Sequence, residues 1–189
     1  MPKAVILSLQ PPVYQLKVVL EGIEPGIWRR FQVSSHIKLT ELHRVLQIIM
    51  GWEDSHLHEF RPGRISYSEP VLGVPRRMPS MKKLDLRGIA SKEKDKFMYI
   101  YDFGDGWEHR LTVEKIMDSE PGKRYPVCLA GERACPPEDC GGIPGYEMLL
   151  SALLGPKNAD ERDLVEWAGD HDPDYFDLKA INARLERMR

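Results

Sequence analysis

Apolar and polar residues alternate near the start of the chain, in residues 14–21. The apolar residues fall on one face of an extended backbone: Tyr14, Leu16, Val18 and Leu20. This period of two predicts a β-strand, and a turn rich in glycine leads to a second, antiparallel strand in residues 27–33. Arg29 and Arg30 are neighbours in that strand, so their side chains must point to opposite faces. One of the two arginines is therefore expected to pair with an acid or to reach a functional site.

A helical pattern follows the two strands. Residues 41–50 carry the wide apolar stripe of a helix that packs on a sheet. Thr40 is placed to cap the N-terminus of this helix, and Gly51 is placed to end it. His43 lies one residue off the stripe, which predicts a position on the helix surface.

Two histidines alternate along residues 56–60, and a strand there places His56, His58 and Phe60 on one face. Imidazoles two residues apart on a strand can be presented together to a metal ion. The alternative is an aromatic and hydrogen-bonded cluster that includes Trp52 and Phe60.

The dipeptide Asp105-Gly106 stands between two alternating runs, which predicts the tip of a β-hairpin. If these two residues form the whole loop, Asp102 faces His109 at the rim of the apolar face. Tyr101 then lies on the opposite face of the hairpin. A carboxylate beside an imidazole in this position is either a packed hydrogen-bonded pair or part of a site.

The remaining segments complete the predicted architecture. Residues 61–97, rich in glycine, proline and charge, predict a long loop, and residues 121–145 predict an irregular segment with three cysteines. Helical spacing returns in residues 146–189. The order of elements predicts an α+β fold: a mixed, largely antiparallel sheet with one crossing helix, in a β-grasp-like order, closed by a C-terminal helical cap. We expect one domain over residues 1–189, with its sheet and first helix in residues 13–120.

Composition and charge narrow the classes of function. The chain is 42% hydrophobic and 30% charged, as in soluble globular proteins, and it has no apolar run long enough to cross a bilayer. No secretory signal is recognisable, so a cytoplasmic location and no membrane partner are expected. A net charge of −2 disfavours strong non-specific binding to nucleic acid. Residues 76–96 nevertheless hold eight basic and three acidic groups, which form either a solvated surface or a phosphate-contacting loop.

The cysteines Cys128, Cys135 and Cys140 are odd in number, which argues against a disulfide framework. Their spacing differs from that of a zinc ribbon, but three thiolates and one histidine could still hold zinc. The alternative is that all three are buried, reduced thiols. No phosphate-binding glycine loop or serine-nucleophile elbow is present.

Several segments together resemble the Ri-plasmid ORF-3-like family, which is also described as similar to an insertion-element passenger protein labelled TnpR. The segments that carry the resemblance occur in order: residues 27–33, 39–52, 56–60, 101–109 and 128–146. The resemblance covers about residues 13–188. It implies a compact α+β domain found in prokaryotes and on mobile elements, and it implies no mechanism. We find no nucleophile set among arginines of the kind that a recombinase needs.

Residues inside these segments are the site candidates, and they support three hypotheses. The first is a non-catalytic binding or accessory module for a protein or nucleic acid, with these binding residues: Arg29, Arg30, Asp105, Trp107, Glu108, Glu138 and Asp139. The second is a metal-dependent hydrolase or nuclease, with zinc as an example of its metal and these catalytic residues: His56, His58, Asp102 and His109. The third is that the polar residues only tie turns together by hydrogen bonds.

Overall fold

The computed structural model describes residues 10–69 and 79–188, so the start of the basic segment, residues 76–78, lies outside it. Seven strands are found in these ranges: β1 (Val13–Leu20), β2 (Trp28–Ser34), β3 (His58–Arg61), β4 (Tyr67–Ser68), β5 (Lys96–Tyr101), β6 (Trp107–Met117) and β7 (Val127–Glu132). The same ranges contain four α-helices: α1 (Leu39–Met50), α2 (Gly142–Leu153), α3 (Ala159–Ala168) and α4 (Leu178–Arg187). None of these helices has the length and apolar character needed to cross a membrane.

The strands form one open sheet in the order β4-β3-β5-β6-β1-β2-β7. Every pair of neighbouring strands is antiparallel. This sheet and its helices confirm the predicted α+β class. The segment predicted to be irregular, residues 121–145, contains β7, which pairs with β2 and forms one edge of the sheet.

One face of the sheet is covered by α1 and carries the core. The alternation predicted for β1 is confirmed, because its four inward residues are at most 3% exposed. Helix α1 begins at Leu39, before the predicted cap at Thr40, and ends as predicted at Gly51, whose φ of 99° is left-handed. The surface position predicted for His43 is wrong: this residue is buried, and its Nδ1 lies 2.8 Å from the Tyr99 hydroxyl of β5.

The predicted register of the β5–β6 hairpin is also wrong. Tyr99 pairs with His109 and Tyr101 pairs with Trp107, so the turn contains five residues rather than two. Asp102, with a φ of 55°, closes this turn by accepting a hydrogen bond from the Gly104 amide at 2.8 Å. The shift of three residues reverses the faces of β5 relative to the prediction. It turns the rings of Tyr99 and Tyr101 into the core and removes Asp102 from its expected place opposite His109.

Candidate functional site

Three connections meet at one end of the sheet: residues 53–57 between α1 and β3, the β5–β6 turn, and residues 133–141 between β7 and α2. The Asp105 carboxylate accepts a hydrogen bond from the Gly141 amide at 3.2 Å. The next residue, Gly142, has a φ of 68°, and a Cβ there would lie 2.6 Å from the Asp105 carbonyl oxygen. Glycine is therefore needed for the turn and α2 to approach this closely.

His56 stands among three carboxylates supplied by two of these connections. Its Nε2 lies 3.2 Å from Asp139 Oδ1, 3.4 Å from Glu138 Oε2 and 3.7 Å from Asp102 Oδ2. We call these four residues the His56 cluster. The ligand atoms of His56, Asp102 and Asp139 all lie within 4.8 Å of one another. The Nε2 atom is shielded from solvent and has no hydrogen-bond partner among the residues that the structure describes.

Neighbouring groups fix the orientation of two carboxylates in the His56 cluster. Asp102 uses Oδ1 to accept from the turn amide, which leaves Oδ2 directed at His56. Glu138 accepts a hydrogen bond from the Tyr101 hydroxyl at 3.0 Å. Burial raises the pKa of Tyr101, so this hydroxyl stays protonated and remains a donor. Outer hydrogen bonds of this kind are typical of the support around metal ligands.

The His56 cluster has more negative than positive charge. Three carboxylates surround one imidazole, and no lysine or arginine among the described residues forms an ion pair with any of the three. The Asp102 side chain is only 9% exposed, so solvent screens its charge poorly. Even a protonated His56 would leave a net negative charge. Chemically, the arrangement favours a cation.

A second set of possible ligand atoms belongs to His43, Asp54 and His58. The two imidazole rings are stacked with centroids 3.4 Å apart and planes 5° from parallel. Imidazole donates a lone pair that lies in its ring plane, and no metal position can lie in the planes of two stacked, nearly parallel rings at once. Burial, together with the neighbouring His43, lowers the pKa of His58 to about 3. We interpret His43, which is buried, and His58, which is partly buried, as a stacked pair of neutral histidines rather than as metal ligands.

His109 is completely buried on β6, away from the turn. Its Nδ1 lies 3.2 Å from the Tyr99 carbonyl oxygen, and burial lowers its pKa to about 4. Of the four residues predicted to be catalytic, the structure therefore brings together only His56 and Asp102. His58 belongs to the stacked pair and His109 to the core.

The residues predicted to bind a partner also lie in different parts of the structure. Arg29 is buried and donates to four backbone carbonyls: Trp28, Ile49, Glu132 and Arg133. It thereby anchors the connection that carries Glu138 and Asp139. Arg30, on the opposite face, forms a two-bond ion pair with Glu114. Trp107 is a core residue and Glu108 is exposed.

The three cysteines are free, buried and separate. Cys128 contacts the carbonyls of Arg30 and Ala130, Cys135 lies 3.8 Å from Arg29 Nη2, and Cys140 contacts the Gly142 carbonyl. Burial raises their pKa values to about 11, 11 and 12, respectively. Among the described residues, the groups with metal-site spacing contain no cysteine.

Sequence reasoning missed Tyr101, whose hydroxyl accepts from the Ser55 amide at 3.0 Å and donates to Glu138. The residue was within a recognised motif, but the wrong hairpin register put it on the outer face. It also missed Asp54, whose Oδ1 lies 2.5 Å from His43 Nε2. No local pattern marks that contact, because it depends on how the chain turns after α1.

The chain is similar to one protein family and to proteins of unknown function. A family model described as plasmid pRiA4b ORF-3-like protein matches residues 12–180. The uncharacterized protein y4hQ of Sinorhizobium fredii is 38% identical over 176 residues, covering 90% of this chain and 86% of that protein. The crystal structure of MM3350 from Methanosarcina mazei Go1, a protein of unknown function, has a TM-score of 0.80 and 38% identity, covering 89% of this chain and 96% of that one. The chain therefore belongs to the plasmid pRiA4b ORF-3-like family.

Proposed function

We propose that this protein is a non-catalytic binding module built around a divalent metal ion such as zinc, held by His56, Asp102 and Asp139 of the His56 cluster. The observation that carries the proposal is the placement of three carboxylate oxygens 3.2, 3.4 and 3.7 Å from an imidazole nitrogen that has no hydrogen-bond partner in residues 10–69 and 79–188. Ligands of a tetrahedral zinc ion lie about 3.3–3.5 Å from one another. A cation would also offset the excess negative charge.

Metal analysis of the full chain, purified without a histidine tag, tests this proposal. We expect about one equivalent of zinc to bind after EDTA treatment and reloading, measured by elemental analysis and titration calorimetry. Asp102→Asn is the most specific test of the metal site, because it removes only the carboxylate charge. Asparagine keeps the hydrogen bond from the Gly104 amide and tolerates the positive φ. We expect Asp102→Asn and His56→Gln to weaken binding by at least about tenfold.

Two controls are available. His36→Gln changes an exposed histidine and is expected to bind zinc like the wild type. His58→Gln tests the stacked pair. Zinc below about a tenth of an equivalent in the wild type, or a loss of zinc in His58→Gln but not in Asp102→Asn, would refute the proposal.

A metal-dependent hydrolase or nuclease is the second candidate. The Asp139 side chain is 73% exposed, so one side of the His56 cluster is open to solvent and to a substrate. Zinc sites with an open position are those that activate water. The test is hydrolysis of a bis-aryl phosphodiester and of plasmid DNA by the zinc-loaded protein. Activity that disappears in Asp102→Asn supports the enzyme, and absence of activity supports the binding module.

The family description refers to a plasmid open reading frame. On that basis we extend the proposal to an accessory role in mobile elements, through contact with protein or nucleic acid. We expect phosphates to contact the surface formed by the lysine and arginine residues between positions 79 and 96, the part of the basic segment that the structure describes. A gel shift with DNA or RNA that weakens steeply with salt would support contact with nucleic acid. No shift at low salt would exclude that contact.

A further inference from the structure

One hydroxyl group links the three connections that carry the proposed metal ligands. The Tyr101 oxygen accepts a hydrogen bond from the Ser55 amide at 3.0 Å and donates to Glu138 Oε1 at 3.0 Å. The three residues joined in this way each come immediately before a proposed ligand in the sequence: Ser55 before His56, Tyr101 before Asp102, and Glu138 before Asp139. The position of this hydroxyl therefore bears on all three ligands at once.

The direction of the two hydrogen bonds follows from the groups that form them. The Ser55 amide can only donate, so the Tyr101 oxygen is its acceptor. The hydroxyl hydrogen is then directed at the Glu138 carboxylate, whose two oxygens lie 3.0 and 3.3 Å from the Tyr101 oxygen. A hydrogen bond to a charged acceptor is about twice as strong as one between neutral groups. The hydroxyl thus ties residues 53–57 to residues 133–141.

The core holds the Tyr101 ring in place. The residue is 0% exposed and stacks on the Trp52 ring, with centroids 5.0 Å apart and planes 27° from parallel. Trp52 in turn donates from its indole nitrogen to the Pro136 carbonyl at 3.0 Å, within the connection that carries Glu138. The hydroxyl therefore reaches the two connections from a position that packing fixes.

Hydrogen bonds, rather than packing on all sides, place the Glu138 side chain. It lines a cleft of about 490 Å³ whose other walls include the C-terminal end of α1 and the first half of α4, so protein does not surround it completely. Its Oε1 accepts from the Glu53 amide at 2.9 Å and from the Tyr101 hydroxyl. Without the hydroxyl, the Glu53 amide would be the one hydrogen-bond donor left to it among the described residues.

We propose that Tyr101 is the positioning residue of the His56 cluster. Its hydroxyl holds the connections that carry His56 and Asp139 against the turn that carries Asp102. This inference rests on the proposed metal site and assigns Tyr101 no contact with the ion. A site whose ligands are already in place loses less free energy to ordering of the chain when the ion binds. The alternative is that the hydroxyl contributes only to global stability, in which case its removal would not change the affinity for metal.

Zinc titration of the EDTA-treated full chain tests this role. Tyr101→Phe keeps the ring and its packing, and it should weaken zinc binding by at least about tenfold, as the loss of an outer partner does at other metal sites. Tyr14→Phe is the matched control: Tyr14 is also buried, but it pairs with Ile116, at the opposite end of β6 from the Trp107 partner of Tyr101. This control should bind zinc like the wild type. Wild-type affinity in Tyr101→Phe, or an equal loss in the two variants, would overturn the proposal.

A second pair of variants separates the position of Glu138 from its charge. Glu138→Gln keeps an oxygen that can accept from Tyr101 and Glu53, whereas Glu138→Ala removes it. We expect Glu138→Ala to weaken zinc binding about as much as Tyr101→Phe, and Glu138→Gln to weaken it less. Equal losses in the two Glu138 variants would show that the charge matters and not the hydrogen bonds, which would overturn the proposal. This pair also decides the question if Tyr101→Phe does not fold, because the Glu138 side chain is partly exposed.

Amide hydrogen exchange on the metal-free protein gives a result that does not depend on zinc. In Tyr101→Phe the Glu53 amide keeps its acceptor on Glu138, yet it should exchange on the order of tenfold faster, because the two connections separate more often. The Gly104 amide, which donates to Asp102 within the turn, should exchange at the wild-type rate. An unchanged rate at Glu53 would overturn the proposal. Absence of zinc binding by the wild type would instead refute the proposed function, and the exchange rates would still decide whether the hydroxyl positions the cluster.

Discussion

Mild acid should destabilise this protein because His109 is buried in its neutral form. The side chain is 0% exposed, and burial lowers its pKa from 6.5 to about 4. In the unfolded chain the same imidazole binds a proton near pH 6.5. The unfolded state therefore holds more protons than the folded state between these two values, and stability falls as the pH falls through this window.

The size of the effect follows from the difference between the two pKa values. Between pH 7 and pH 5, His109 alone should cost roughly 2 kcal/mol of the free energy of unfolding. His58, with a pKa lowered to about 3, acts in the same direction. A loss of this size is a substantial fraction of the stability of a typical domain.

Urea unfolding at pH 7 and pH 5 measures this loss. His109→Asn keeps a donor for the Tyr99 carbonyl and removes the titrating ring. The variant should be less stable at pH 7, because part of the ring volume is lost, but should lose about 2 kcal/mol less than the wild type on acidification. His36→Asn, at an exposed position, should lose as much as the wild type. If His109→Asn loses as much as the wild type, the imidazole is not held neutral and the reasoning fails.

Two further predictions concern the connections around the site. Gly142→Ala should destabilise the protein by at least about 2 kcal/mol more than Gly122→Ala. Both residues have a positive φ, but only at Gly142 would the new Cβ lie 2.6 Å from a backbone atom. Equal losses of stability in melting experiments would contradict the close approach to Asp105. Cys135, with a pKa raised to about 11 by burial, should react with an aromatic disulfide reagent only as fast as the protein opens; rapid labelling of the native protein would show that it is accessible.

The sequence was sufficient where the signal was local. Strand β1 could be predicted because alternate burial leaves a period of two, and α1 because its stripe and Gly51 are both local features. Strand β7 could not: it is a short edge strand without clear alternation. It contains Gly131, where a Cβ would lie 2.6 Å from Arg29 Cδ. That requirement comes from a residue about a hundred positions away.

The hairpin register shows why the candidate site was only partly predictable. Alternating runs can pair in several registers, and the observed one depends on the Asp102 side chain closing a five-residue turn. It also depends on burying Tyr99 and Tyr101 beneath α1, a tertiary effect. His56 and Asp102 could be named from their motifs. Their convergence with Glu138 depends on the anchoring by Arg29, which no spacing along the chain reveals.

Glu138 is common to two places in the molecule, because it faces His56 and also forms part of the cleft wall. A cation bound at the His56 cluster would restrict the rotamers of Glu138. This part of the cleft wall would then be more rigid in the metal-bound protein than in the metal-free protein.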